Sequence, residues 1–225
     1  MESALPRYFG SVDHWIRRAA GMPATVDSLF DKRHKEIHRY TIADVNGPLT
    51  LTLPIVKPHG IPHATWQDVR ISEHGQWWHV HRVSLESAYG RTPFFEFYID
   101  RFLPYISRET VDRFPSVAAL NQAVEQEIAG VLLLSPPAYR GEFAATPPTP
   151  ATGSRPASLN RSECRGRSEC CGERAPIQTP YWQPRAERFG FLGHLSVLDL
   201  IFCIGPEAAL WIRQQLSPTI TLTNK

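Results

Sequence analysis

The sequence contains no run of about 20 consecutive apolar residues, the length that a helix needs to cross a bilayer. Its first residues also lack the basic start and continuous apolar core of a secretory signal. Cysteine is scarce, with 4 among 225 residues, and without an export signal these predict reduced thiols and no disulfide framework. We therefore expect a soluble, cytoplasmic protein without a membrane span.

Neither sign of charge is in excess, because 24 Lys and Arg residues face 22 Asp and Glu residues. The formal net charge of +2 is too small to indicate a nucleic acid or an anionic membrane as partner. The sequence also lacks a P-loop, a GxSxG nucleophile elbow, an HExxH helix and a convincing dinucleotide-binding glycine pattern. We therefore expect no nucleic-acid partner and no cofactor.

The first half of the chain carries a helix signal followed by a hairpin signal. Residues 11–21 combine a capping-type start, apolar residues at helical spacing and a glycine stop, and this helix should turn Arg17 and Arg18 toward water. Further on, Asn46 and Gly47 form a hairpin-type turn before a strand in which leucines alternate with threonines. The leucines on the predicted buried face are Leu49, Leu51 and Leu53.

Helical spacing dominates the remaining ordered segments. Trp77, His81, Leu85 and Ala88 form one stripe, and a third helix is predicted within residues 115–134. Near the carboxyl end, one helix should open at Ser196 and close near Gly205, and another should have Pro206 at its first position. The predicted fold class is α+β, a single mainly helical domain with a small sheet or hairpin.

A composition change interrupts this domain. Residues 136–180 are rich in Pro, Ser, Gly and Arg and poor in large apolar groups, so we interpret them as a disordered insertion. The predicted organisation is an N-terminal part at 1–135, the insertion at 136–180, a C-terminal helical part of the same domain at 181–217, and a loose tail at 218–225. The hexads RSECRG and RSECCG within the insertion fit a local duplication better than a four-ligand zinc site.

His79 and His81 raise the question of a metal site. Side chains two apart share a face on a strand but point about 200° apart on a helix. Since the apolar spacing around them favours a helix, we predict no metal site. His81 lies on the apolar stripe, where it is either a hydrogen-bonded core histidine or a substrate-facing group with a tuned pKa.

Two other polar patterns each have a structural and a functional interpretation. The basic run DKRHKEIHRY at residues 31–40 is either a solvated edge or a site for phosphate or carboxylate. The spacing of Ser196 and Asp199 is that of a capping box, in which both side chains satisfy helix-end amides. Asp199 is also a candidate to orient a base next to His194 or to bind a sugar hydroxyl.

Three segments taken together resemble the WbqC-like family, a bacterial group associated with the biosynthesis of O-antigen and related surface polysaccharides. They are GPLTLTLPI, WWHVHRVSLESAYGRTPFFEFYIDRFLPYI and YWQPRAERFGFLGHLSVLDLIFCIGPEA. The second holds the ESAY segment and the aromatic run after it, and the third holds an aromatic followed by a glutamine and the Leu-Ser-x-x-Asp-Leu helix start. The sequence departs from the family pattern at His194, where asparagine is more usual, and in the stretch QPRAERFGF.

The resemblance implies an enzyme of the group-transfer type, acting on an activated or amino sugar or a sugar nucleotide. In that scheme His81 is the general base or acid and Asp199 orients it or a sugar hydroxyl. The implied substrate-binding residues are Lys32, Arg39, Trp77, Tyr89 and Gln183, with Lys32 and Arg39 on a diphosphate or carboxylate and the aromatic rings against the sugar. The alternative is a non-catalytic sugar- or partner-binding protein of the same pathway, and the sequence leaves the oligomeric state open.

Overall fold

The computed structural model describes residues 5–25, 28–135, 139–140 and 179–216. Its helices are α1 (Val12–Ala19), α2 (Trp77–Tyr89), α3 (Phe95–Phe102), α4 (Glu109–Arg113), α5 (Val117–Val131), α6 (Ala186–Phe189), α7 (Val197–Ile204) and α8 (Glu207–Leu216). Its strands are β1 (Ala24–Thr25), β2 (Arg39–Asp44), β3 (Gly47–Thr52), β4 (Ile55–Val56), β5 (Arg70–Ile71) and β6 (Tyr139–Arg140). This confirms the α+β prediction.

Most of the predicted insertion at 136–180, position 217 and the whole predicted tail at 218–225 lie outside the described residues. Within 136–180, Tyr139 and Arg140 form β6 and pair in parallel with β1, and residues 179–180 lead into the C-terminal part. The division of the chain at 135, 180 and 217 stays a prediction.

The predicted hairpin is confirmed by β2 and β3, which pair antiparallel from Arg39 opposite Thr52 to Asp44 opposite Gly47. The turn consists of Val45 and Asn46, one position earlier than the predicted pair. Gly47 has a φ of 111°, a backbone conformation that favours glycine. Leu51 is buried while Thr50 and Thr52 are exposed, as the alternation predicts.

Helix ends follow the predicted capping residues. Ser11 and Ser116 each accept a hydrogen bond from the backbone N–H three residues later, at the starts of α1 and α5. Ser196 caps α7 and accepts from Leu198 N, and Gly205 ends that helix with a φ of 55°. A Cβ at position 205 would lie 2.5 Å from the Phe94 ring, so this close approach also requires glycine.

The predicted orientation of α1 is wrong at Arg18. This arginine is 8% exposed, and its Nη2 donates to Oε2 of Glu125 on α5 at 3.0 Å. The Nε2 of His14 lies 2.6 Å from Oε1 of the same carboxylate, which is fully buried. A charged residue on a predicted amphipathic helix is expected to face water. Arg18 is buried because it pairs with Glu125, which lies 107 residues away in the sequence.

Aromatic and aliphatic side chains form one core between the hairpin and the helices. Tyr8, Phe9 and Tyr40 pack ring to ring, and His81 on α2 lies against Tyr40 with 5.4 Å between ring centroids. The predicted stripe of α2 is confirmed, because Trp77, His81, Leu85 and Ala88 are buried. Within the described ranges, none of the helices combines the length and apolarity that a membrane crossing requires.

Candidate functional site

Three chain segments meet beside the hairpin and bring the starts of α1 and α7 together. Ser196 donates its backbone N–H to the carbonyl of Thr41 in β2 at 2.8 Å, and its hydroxyl donates to the carbonyl of Phe9 at 2.9 Å. Val197 N donates to the carbonyl of Gly10 at 3.0 Å. These bonds pair the backbone groups of all three segments around the buried Ser196.

A cavity of about 200 Å³ opens at this junction. Three cationic side chains line it, Arg7, Lys35 and Arg39, together with one carboxylate, Glu36. Oε1 of that carboxylate is 3.0 Å from Nδ1 of His34 on the surface. The lining is completed by Phe9, Ser11, Tyr40, Thr41, His194 and Ser196. The cations outnumber the acid three to one, so the wall favours an anionic ligand.

Arg39 contributes a positive charge to this wall. Its Nε is buried, and no described residue accepts a hydrogen bond from it. Five other buried side-chain atoms of the described residues also have no partner, so the contribution of Arg39 to the wall is its charge and not this one donor. Burial also lowers the pKa of Arg7, against the raising effects of Glu36 and Glu125, yet an arginine stays charged in proteins.

The starts of α1 and α7 favour an anion in the cavity through their helix dipoles more than through direct hydrogen bonds. The Ser11 hydroxyl already accepts from His14 N, and the Ser196 hydroxyl already accepts from Leu198 N. Val12 N donates to the carbonyl of Leu195 at 2.9 Å. The partial positive charge of α1 and α7 still favours an anion nearby. Direct contacts to a ligand would therefore come from the side chains of the wall.

His194 lies on the cavity wall and is paired with Asp13 from the first turn of α1. Its Nδ1 donates to Oδ2 of Asp13. The histidine side chain is 64% exposed and the aspartate side chain 14% exposed. His194 adopts a φ of 61°, in the left-handed region that few residues other than glycine occupy. The result is an oriented imidazole beside three cations.

His81 does not line the cavity but lies directly behind Tyr40, a residue of the cavity wall. Its Nδ1 accepts from the Tyr40 hydroxyl at 3.3 Å, and its Nε2 donates to the carbonyl of Thr52 at 3.2 Å. Burial lowers the pKa of His81 to about 4, although the hydrogen bond to Thr52 opposes this shift. His81 is therefore neutral at pH 7, with both ring nitrogens engaged.

Asp199 is fully buried at the centre of a second polar cluster. Its carboxylate accepts from the hydroxyls of Tyr181 and Tyr89, at 2.5 and 2.8 Å, and from Nε2 of Gln183 at 2.8 Å. The Tyr89 hydroxyl in turn accepts from Ala43 N at 3.0 Å. Burial raises the pKa of Asp199, and the three donors partly offset that rise.

The capping-box interpretation of Asp199 is therefore wrong. Ser196 does cap α7, but the carboxylate turns away from the helix start and binds side chains from α2 and from the segment before α6. The physical reason is that Tyr181, Tyr89 and Gln183 supply three donors to a carboxylate that burial has removed from water. A single amide at the helix start cannot match them.

The structure gives His81 and Asp199 separate partners. No hydrogen bond among the described residues links them, and neither lines the cavity. Asp199 binds the Tyr89 hydroxyl, and Tyr89 lies eight residues after His81 on α2, about 12 Å along the helix axis. A catalytic pair formed by these two residues stays a prediction.

The predicted substrate-binding cations divide between the cavity and the surface. Arg39 lines the cavity, whereas Lys32 is exposed and is not among the lining residues. Lys35 takes part from the same basic run. Sequence reasoning missed Arg7, whose available signal was its place directly before the aromatic pair Tyr8 and Phe9.

The other predicted substrate-binding residues, Trp77, Tyr89 and Gln183, lie inside the core. Trp77 is 4% exposed and donates its Nε1 to the carbonyl of Ser72. Tyr89 is fully buried against Asp199, and Gln183 is 4% exposed. Their positions suit support of the domain, and their role in binding a substrate stays a prediction.

The histidine pair of α2 does not converge. His79 is exposed and His81 is buried, on different sides of the helix. Within residues 5–25, 28–135, 139–140 and 179–216, no group of three or more His, Cys, Asp or Glu side chains has the arrangement of a metal site.

The family model described as the WbqC-like protein family matches residues 25–145, more than half of the 225 residues. This confirms the resemblance noted in the sequence. Lys35, Arg39 and Tyr40 of the cavity lie inside the matched range, and Arg7 and His194 lie outside it. No curated protein and no solved structure matches the chain.

Proposed function

The chain belongs to the WbqC-like protein family, and from that premise we propose that it acts on an activated or amino sugar, such as a sugar nucleotide, in the biosynthesis of lipopolysaccharide O-antigen or a related surface polysaccharide. The anionic part of this substrate, a diphosphate or a carboxylate, binds in the cavity between α1, β2 and α7. The proposed reaction is a group transfer.

One observation carries this proposal: three cationic residues, Arg7, Lys35 and Arg39, line a single cavity. Arginine forks bind phosphate and carboxylate in a bidentate manner, and lysine adds a point charge. A diphosphate supplies several acceptor oxygens and enough negative charge to balance these cations.

The size of the cavity limits how much of the substrate it encloses. Sites that bury a whole drug-sized ligand occupy about 300–1,000 Å³. The volume here is about 200 Å³. The cavity therefore takes the charged group and part of a sugar ring, and the rest of a sugar nucleotide extends out of the opening.

Group transfer makes use of the same cations. When a sugar leaves a nucleoside diphosphate, negative charge grows on the leaving oxygen, and preorganised cations stabilise that charge. In this proposal Tyr40 forms part of the substrate wall, and His81 holds the Tyr40 hydroxyl from behind. A direct catalytic role of His81 and Asp199 is a separate part of the prediction and needs its own test.

A specific observation favours the second candidate, a non-catalytic binding protein of the same pathway. His81 and Asp199, which the resemblance implies as the catalytic pair, are 2% and 0% exposed and have their polar atoms engaged. A protein that only binds the sugar needs the cavity and no titratable pair.

Calorimetry with UDP-N-acetylglucosamine, UDP-glucosamine and uncharged N-acetylglucosamine tests the proposal. We expect at least one sugar nucleotide to bind and the uncharged sugar not to bind. Lys35→Ala should weaken binding about 10-fold, the equivalent of one ligand contact with a charged group. Lys32→Ala is the matched control, because Lys32 belongs to the same basic run but does not line the cavity, and it should change the affinity less than 2-fold. Equal losses in both variants, or no binding by the folded wild type, would contradict the proposed site.

A further inference from the structure

We infer that His194, held by Asp13, is the proton acceptor of the site and takes the proton from the hydroxyl or amine that attacks the bound sugar. The inference rests on the proposed function and names a catalytic residue that is particular to this chain, since asparagine is more usual at this position of the family pattern. It depends on two features, the position of His194 on the wall of the cationic cavity and the hydrogen bond from its Nδ1 to Asp13.

The Asp13 carboxylate sets the chemistry of the ring. A carboxylate only accepts, so Nδ1 carries the proton and the neutral ring has its lone pair on Nε2. This is the tautomer that a general base needs. Asp13 lies in the first turn of α1, and the α1 start is joined to the segment of His194 by the bond from Val12 N to the carbonyl of Leu195. Both partners are thus fixed to one junction.

The backbone at His194 supports a positional role. Its φ of 61° lies in the left-handed region, and such conformations in residues other than glycine collect at functional sites. Ser196, two residues later, is anchored to Thr41 and to Phe9. This anchoring holds the left-handed turn, so the imidazole stays on the wall that Arg39 also lines.

Exposure separates His194 from His81. The His194 side chain is 64% exposed, so an acceptor molecule can reach it, whereas His81 is 2% exposed and uses both ring nitrogens inside the core. A general base must come within hydrogen-bond reach of the proton that it removes. His194 is accessible to an acceptor molecule, and His81 is not.

The proposed step is balanced in atoms and charge. The acceptor's O–H or N–H bond breaks, and its proton moves to Nε2 of His194 while the oxygen or nitrogen forms a bond to the anomeric carbon of the sugar. The bond from that carbon to the diphosphate oxygen breaks, and its electron pair leaves with the nucleoside diphosphate. Arg7, Lys35 and Arg39 hold the added negative charge. Asp13 stabilises the imidazolium that forms.

The test separates binding from turnover. UDP-N-acetylglucosamine and UDP-glucosamine serve as donors, water and free glucosamine serve as acceptors, and release of UDP is measured beside calorimetric affinity. His194→Asn is chosen because asparagine tolerates the left-handed backbone. Asp13→Asn keeps the size of the side chain but can donate to Nδ1 and so reverse the tautomer. His79→Asn, at an exposed histidine on α2, is the control.

We expect His194→Asn and Asp13→Asn to lower UDP release about 100-fold or more while the dissociation constant changes less than 2-fold, since a general base contributes about 100- to 10,000-fold. The control should keep the wild-type rate. Imidazole added to His194→Gly, which also accepts the backbone conformation, should restore part of the release.

Each other outcome has a distinct meaning. A wild type that binds neither sugar nucleotide contradicts the proposed function itself. A wild type that binds and turns over, with His194→Asn equally active, overturns the role of His194 and leaves the binding site intact. A wild type that binds a sugar nucleotide but releases no UDP in the presence of either acceptor also overturns this role and favours the non-catalytic alternative.

Discussion

The hydroxyl of Tyr40, a residue of the cavity wall, lies 3.3 Å from Nδ1 of His81 and is the donor to it. His81 thus stands one side chain behind the cavity, closed in by Tyr40 and by the carbonyl of Thr52. The same burial lowers its pKa to about 4. A neutral histidine in this position links the stability of the wall to pH.

His81 should make the folded protein less stable in mild acid. Between pH 6.5 and about 4 the unfolded chain binds a proton at His81 and the folded chain does not, so the free energy of unfolding decreases as the pH falls through this window. The shift of the pKa corresponds to about 3 kcal/mol over the full window. The contribution is present above pH 6.5.

His81→Gln tests this directly, because glutamine has a donor and an acceptor but does not titrate. Urea unfolding at pH 7 and at pH 4.5 should show a smaller loss of stability for this variant than for the wild type. His79→Gln, at an exposed position of α2, should behave as the wild type does. An identical acid response of wild type and His81→Gln would mean that His81 is not buried as a neutral ring.

Glu125 should be among the most costly charges to remove. It is fully buried and compensates Arg18 and His14, and its Oε1 also accepts from Arg7 N at 3.0 Å. Burial opposes ionisation of Glu125, but His14 and Arg18 together lower its pKa. Glu125→Gln should decrease the free energy of unfolding by about 3–5 kcal/mol, because it leaves the arginine buried without a counter-charge.

The matched control for this variant is Glu127→Gln on the same helix. Glu127 pairs with Arg101 at 2.7 Å, with side chains 26% and 47% exposed. Such a partly exposed pair contributes less than about 1 kcal/mol. Denaturant titration of both variants gives the comparison, and similar losses in the two would show that the buried cluster has no special role.

Local patterns sufficed for the elements of the fold. The stripe on α2, the hairpin of β2 and β3 and the caps at Ser11, Ser116 and Ser196 each depend on residues within a few positions of one another. Periodicity and capping chemistry express such short-range constraints directly. These predictions therefore agree with the structure to within about one residue.

The polar clusters were beyond the reach of local patterns. Asp199 binds Tyr89 from 110 residues away, and the cavity unites Arg7 with His194 and Ser196. Arg18 appeared to be an outward residue because its carboxylate lies on another helix. In each case the tertiary fold supplies the partner that decides the role of the residue, and no local pattern identifies that partner.

The Asp199 cluster should contribute to stability through hydrogen bonding. Asp199→Asn replaces one acceptor oxygen by an amide that donates, so the set of Tyr181, Tyr89 and Gln183 loses an acceptor, and the free energy of unfolding at pH 7 should fall by about 1–3 kcal/mol. Asp100→Asn, at an exposed position on α3, should change it by less than about 0.5 kcal/mol.

The stability difference between wild type and Asp199→Asn should change with pH in one direction. The folded pKa of Asp199 is raised, so its titration favours the folded state most below pH 3.8 and this benefit is lost as the pH rises through the folded pKa. The difference in stability between wild type and variant should therefore be larger at low pH than at neutral pH. A difference that grows as the pH rises would contradict the burial of this carboxylate.

The assignment of the cavity as the anion site is tested most directly by calorimetry. The affinities of wild type, Arg39→Gln and Arg33→Gln for UDP-N-acetylglucosamine are measured in one buffer. Arg39 lines the cavity, and Arg33 lies in the same basic run, bound to Asp31 on the surface. Both variants remove one positive charge. We expect Arg39→Gln to weaken binding at least about 10-fold and Arg33→Gln to leave the affinity within 2-fold of the wild type. Equal effects of the two substitutions, or unchanged affinity in Arg39→Gln, would contradict the assignment of the cavity as the anion site.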